Sequence, residues 1–108
     1  MGIPEISIAE AVVLLGDAVF VDIRDPNSFG AGHIPGAIAA TQENIDALLE
    51  NTPKSQEIVI YCYHGNSSRG ATQWFQQRGF EAVRSMSGGF EDWRLASGRD
   101  EAYAISKE

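Results

Sequence analysis

Two kinds of run divide the chain. Residues 18–23 and 58–61 are nearly continuous in apolar, β-branched and aromatic side chains, broken in the first only by Asp22. Short unbroken runs of this kind suit strands buried on both faces, as in a parallel sheet. Glu5-Ile6, a stretch near 37–40 and residues 80–86 are the remaining strand candidates. Between them the apolar positions fall at helical spacing. Ser7-Ile8-Ala9-Glu10 is a capping box, after which Ile8, Ala11, Val12 and Leu15 share one face until Gly16. Asp25 followed by Pro26 opens a second helix. Thr41 is predicted to cap a third over 42–50, with Ile45, Leu48 and Leu49 inward. Ser68 is expected to cap a fourth, in which Ala71, Trp74 and Phe75 face inward, Gln73, Gln76 and Gln77 face out, and Gly79 is the stop. Phe90 and Trp93 start a closing helix after the turn Ser87-Gly88-Gly89. Residues 98–108 show no periodicity and read as a loose tail.

Alternating strands and helices joined by glycine-marked connections imply an α/β fold. Right-handed crossovers then place helices on both faces of a mostly parallel, roughly five-stranded central sheet, in three layers. Neither a repeat nor a linker divides the 108 residues, so the expectation is one domain over 1–108 with its core at about 6–95.

The one cysteine of the chain, Cys62, stands where the apolar run 58–61 gives way to the polar loop Tyr63-His64-Gly65-Asn66-Ser67. A lone cysteine is commonly a small buried hydrophobe, but one that begins a glycine-containing turn into a helix is differently placed. Such a loop can aim successive backbone N–H groups at one point, backed by the positive end of the helix. A thiol there is stabilised as the thiolate, and its pKa falls from ~8.5 by one or more units.

These residues carry a resemblance. The segment Cys62-Tyr63-His64-Gly65-Asn66-Ser67 behind a hydrophobic strand resembles the active-site loop of the rhodaneses, the thiosulfate:cyanide sulfurtransferases. Val21-Asp22-Ile23-Arg24 and Gly32-His33-Ile34-Pro35-Gly36-Ala37 resemble that family's N-terminal signatures, and Gly88-Gly89-Phe90-Glu91-Asp92-Trp93 its C-terminal one. The four blocks keep the family's order. With Ser67-Ser68-Arg69 behind the loop, the chain is most similar to the short single-domain thiosulfate sulfurtransferases of the GlpE type. The resemblance implies a rhodanese-like fold and a double displacement through a Cys62 persulfide, with no metal and no organic cofactor. The donor would be thiosulfate. The acceptor would be cyanide in an assay and a thiol in the cell, small or carried by a thioredoxin-like protein. Amides of Tyr63 through Ser67 would hold the sulfur, Asp22 and Arg24 would brace the loop, and His33 would bond the backbone. His64 and Asn66 could set donor or acceptor preference, or simply face solvent.

Charge changes the picture in one respect. Eight basic against fifteen acidic residues give a net −7, which argues against nucleic acid and anionic membrane as partners. Attraction of a thiosulfate dianion must then be local, from the loop amides, the helix end and Arg24 or Arg69. A single cysteine excludes an internal disulfide and fits a reducing compartment, and no run reaches transmembrane length or follows a secretory pattern. A cytoplasmic location is expected.

Two rivals remain. Cysteine phosphatases and arsenate reductases with this type of fold separate their cysteine and arginine by five residues. Here Ser68 occupies the arginine's place and Arg69 comes one position late. A rhodanese-like binding module, or a persulfide carrier fed by another donor, would share every residue named above.

Overall fold

The computed structural model describes residues 2–107, so Met1 and Glu108 of the expected 1–108 domain lie outside the described residues. In chain order the elements are β1 (Glu5–Ile6), α1 (Ile8–Val12), β2 (Val19–Asp22), α2 (Pro26–Ala31), β3 (Ile38–Ala39), α3 (Ile45–Asn51), β4 (Ile58–Tyr61), α4 (Ser67–Gln77), β5 (Val83–Met86) and α5 (Gly89–Ser97). The strands form one five-stranded sheet in the order β1-β5-β4-β2-β3, and every neighbouring pair is parallel. The fold is the expected α/β arrangement.

β4 lies at the centre and all four of its residues are buried. Its side chains alternate between two cores, as a period of two requires. Val59 and Tyr61 join Phe20, Met86, Ala11, Phe90 and Trp93 on one face, under α1 and α5. Ile58 and Ile60 join Val21, Val83, Phe75 and Phe80 on the other, with Trp74, Leu48 and Leu49 of α4 and α3 packed against them. The continuous apolar run of β4 is therefore one strand serving both helical layers. No helix among the described residues is long and apolar enough to cross a membrane.

The local capping signals form as the sequence indicates. Ser7 and Glu10 make the reciprocal capping box of α1, and Asp25 accepts from Ser28 N–H at the start of α2. Three expectations need correction. α3 begins at Ile45, because Thr41 and Asn44 bond each other (Thr41 N–H to Oδ1, 2.8 Å; Asn44 N–H to Oγ1, 3.2 Å) and close a turn ahead of the helix. α4 begins one residue before Ser68, with Asn66 at the cap position making no side-chain cap bond, so Ser68 lies inside the first turn. The segment 98–108 is docked rather than loose over its described part. His33 and Ser106 exchange both backbone hydrogen bonds at 2.9 Å, Trp93 Nε1 donates to Ala104 O at 2.9 Å, and Tyr103 packs edge-on against Trp93. Backbone pairing and two or three side chains can hold a segment that has no periodicity to detect.

Candidate active site

Cys62 follows the last residue of β4, at the carboxyl edge of the central strand. Three backbone features shape the loop behind it. Gly65 has φ +94°, and a Cβ there would sit 3.0 Å from Gly88 N and 3.3 Å from Met86 O, so only glycine fits. Gly89 has φ +62°, and a Cβ there would collide with the Tyr63 carbonyl. That close approach lets the first turn of α5 bind the loop from outside: Phe90 N–H donates to Cys62 O at 2.8 Å and Glu91 N–H to Tyr63 O at 3.0 Å. With these carbonyls turned toward α5, loop amides point the other way. Gly65 N–H donates to Cys62 Sγ at 3.2 Å, and Ser68 N–H, in the first turn of α4, at 3.3 Å. The positive end of an eleven-residue helix thus meets the sulfur.

A hydroxyl completes the cradle. Ser68 Oγ lies 3.4 Å from Sγ and 2.6 Å from Ser85 Oγ, and both serines are fully buried. Once the thiol is ionised, Ser68 O–H donates to the sulfur and Ser85 O–H donates to Ser68. Burial pushes the Cys62 thiol up, but the Ser68 hydroxyl and the amides of Ser68, Gly65 and His64 together outweigh it, and the net shift is downward. Cys62 is only 7 % exposed and opens into a cup of about 290 Å³ walled by Arg24, Asp25, Tyr63, His64, Asn66 and Ser67.

The structure places the sequence-predicted residues unequally. Tyr63, His64, Asn66 and Ser67 are exposed on the rim, and Gly65 is buried behind it. Asp22 and Arg24 form a buried ion pair (2.7 Å), and Arg24 Nη2 also donates to Gly32 O at 2.6 Å. Its guanidinium lies 4.1 Å from the Phe90 ring centre and 5.3 Å from that of Tyr63, so the pair touches the loop through aromatic faces rather than hydrogen bonds. His33 Nδ1 is 2.8 Å from Phe29 O, the structural role expected for it. Arg69 is elsewhere: its exposed guanidinium pairs with Glu5 on β1 at 2.7 Å, and it does not line the cup. A guanidinium held by the far edge strand gives no fork to a bound anion.

Sequence reasoning placed Ser68 beside the site as a helix cap and missed two contributors. Ser68 bonds the sulfur from inside the first turn of α4, while Ser85 supports it from β5 and Gly89 permits the α5 contact. The paired glycines were the one readable sign, since adjacent glycines often mark a backbone-to-backbone approach. Nothing local could have tied Ser85 to a residue seventeen positions earlier.

A model of the Rhodanese-like domain matches residues 7–96. The chain belongs to the rhodanese-like family. It is 48% identical over 98 residues to a protein of Pseudoalteromonas translucida named thiosulfate sulfurtransferase GlpE, covering 89% of this chain and 93% of that one. Among solved structures, a rhodanese-like domain from Anabaena superposes with a TM-score of 0.82 at 24% identity, over 97% of this chain and 80% of that chain. A Rhodopseudomonas palustris protein described as of unknown function and a possible tyrosine phosphatase superposes at 0.73 with 30% identity, over 88% and 82%.

Proposed function

We propose that this chain is a thiosulfate sulfurtransferase that carries the transferred sulfur as a Cys62 persulfide. The observation that carries this reading is the convergence of Gly65 N–H, Ser68 N–H and Ser68 Oγ on one buried sulfur at a strand end. The Cys62 thiolate attacks the outer sulfur of thiosulfate. An Sγ–S bond forms, the S–S bond of thiosulfate breaks, and sulfite leaves with the electron pair. The persulfide anion places its terminal sulfur in the cup, within reach of the loop amides and the α4 dipole, which act as an oxyanion hole would. An acceptor nucleophile, cyanide in an assay or a thiol of a small molecule or thioredoxin-like protein, then removes that sulfur and restores the thiolate. Transfer to a phosphate substrate fits less well. Ser68 stands in the place of the arginine such chemistry uses, and Arg69 is engaged by Glu5 outside the cup.

Mass spectrometry tests this. Thiosulfate treatment is expected to add one sulfur, about 32 Da, to the wild-type protein, to be lost on adding cyanide. The Cys62→Ser protein should gain nothing. Aryl-phosphate hydrolysis without any sulfur adduct would reverse the assignment.

A further inference from the structure

Two spaces meet at the residue that follows the nucleophile. Beside the cup of about 290 Å³ over Cys62 lies a larger cavity of about 550 Å³, with Ala31 of α2, Phe90 of α5 and Ile105 on its apolar side. Of the described residues, Arg24 and Tyr63 alone line both spaces. Arg24 is buried and bonded to Asp22 and to Gly32 O, so it forms a common floor. Tyr63 is exposed, and its ring centre lies 5.3 Å from the Arg24 guanidinium. It is pinned at both ends. Its carbonyl accepts from Glu91 N–H of α5 at 3.0 Å. Its hydroxyl bonds Ser28 Oγ, and Ser28 O–H in turn donates to Asp25 Oδ1 at 2.6 Å, at the start of α2. The side chain therefore runs as a strut from the loop to α2, with the cup on one side and the larger space on the other.

We propose that Tyr63 is a specificity-determining residue: latched to Ser28, its ring closes the cup against the larger cavity and denies that apolar room to the sulfur donor. The assignment rests on the sulfurtransferase reading above and adds to it what limits the donor. Thiosulfate is a compact dianion without apolar surface, and the cup alone accommodates it. A thiosulfonate, in which an organic group replaces one oxygen, offers the same outer sulfur on a larger body. A methyl group there keeps the donor near the size of thiosulfate. A phenyl ring reaches further, and the apolar surface that would receive it, on Phe90, Ala31 and Ile105, lies behind the Tyr63 ring. With Tyr63 in place the phenyl group gains nothing from that surface. The bond changes are the same for every donor. The Cys62 thiolate attacks the outer sulfur, the Sγ–S bond forms, the donor's S–S bond breaks, and sulfite or a sulfinate leaves with the electron pair. Once reactivity toward a free thiol is divided out, discrimination between donors reports on the space around Cys62.

Two measurements on the full chain test the proposal. The first needs no sulfur transfer: Cys62 is alkylated with iodoacetamide and with its N-phenyl derivative, the thiolate displacing iodide, and each rate is divided by that of a free thiol. In wild type the phenyl reagent should hold no advantage. Tyr63→Ala should raise the ratio of phenyl reagent to parent about tenfold, the gain from partly burying one ring on apolar surface. Ser28→Ala leaves the loop sequence intact and unlatches the ring, and should raise the ratio in the same direction by a smaller factor. The second measurement is kcat/KM for benzenethiosulfonate relative to methanethiosulfonate, with cyanide as acceptor, where the same order of variants is expected. A ratio unchanged or lowered in Tyr63→Ala would overturn the proposal. Equal losses for both donors would do so too, since that is the mark of a merely structural role. A phenyl advantage already present in wild type counts against it as well. If Tyr63→Ala does not fold, the Ser28→Ala ratio decides alone, and no rise there overturns the assignment. Failure of thiosulfate to form any persulfide would sink the functional reading, whereas the alkylation ratio reports on the Tyr63 wall by itself.

Discussion

At the scale of single residues, the chemistry depends on how a sulfur that is almost entirely buried can ionise. Burial opposes it, and the Ser68 hydroxyl with the amides of Ser68, Gly65 and His64 reverses the balance. Alkylation of Cys62 by iodoacetamide is therefore expected to reach its plateau well below the ~8.5 of a free thiol. Ser68→Ala removes the hydroxyl and should move that plateau upward, with thiosulfate kcat/KM falling about tenfold, the equivalent of one charge-assisted hydrogen bond. Ser85→Ala should act in the same direction and more weakly, because Ser85 reaches the sulfur only through Ser68. The same shift has a stability consequence. A folded pKa below the unfolded one means that the contribution is present above the unfolded thiol's pKa and lost as pH falls through the folded one. The stability difference between wild type and Cys62→Ser should accordingly grow with pH across that window, as read by urea titrations at several pH values.

At the scale of elements, the loop is held from three sides. β4 supplies its start, α4 its positive end, and the first turn of α5 binds the carbonyls of Cys62 and Tyr63. Gly89→Ala would drive a Cβ into the Tyr63 carbonyl at a left-handed φ, so the loop must shift. Sulfur transfer is expected to fall by at least tenfold, a loss of about 1.4 kcal/mol or more in transition-state stabilisation, while circular dichroism still reports the fold. The Asp22–Arg24 pair joins the end of β2 to the end of α2 and to the aromatic rings beside the loop. Its side chains are 0% and 3% exposed. Removing one partner would strand the other charge in the interior, and Asp22→Ala is expected to cost about 3–5 kcal/mol in denaturant unfolding. A loss near that of an exposed ion pair would show that Arg24 finds another partner.

At the scale of the whole molecule, the C-terminal segment closes the face of the sheet that carries α1 and α5. Tyr103 and Ile105 pack on that core, and the segment makes three hydrogen bonds to His33 and Trp93. Truncation after Glu101 is expected to destabilise the protein by about 3–6 kcal/mol, from lost hydrogen bonds, lost burial and an orphaned indole N–H. A thermal midpoint unchanged by the truncation would refute that docking.

Much of this was legible from short-range signals. The buried run of β4, the polar loop opening at Cys62, the Ser7 capping box and the Asp25 cap are set by residues within a few positions of one another, where periodicity and capping operate. The four signature blocks likewise fixed the family without any contact being known. Tertiary structure decided the rest, because the sheet order β1-β5-β4-β2-β3 brings together residues far apart in the chain. It put Ser85 of β5 behind Ser68, turning an expected helix cap into a hydrogen-bond donor for the sulfur. It gave Arg69 to Glu5, sixty-four positions away, and so withdrew from the site the cation that sequence proximity had put there. It paired Ser106 with His33 in a segment whose pattern shows nothing regular. Local sequence can specify where a strand, a turn or a nucleophile stands, but which side chain fills the space beside it is settled by the crossovers that bring distant strands into register.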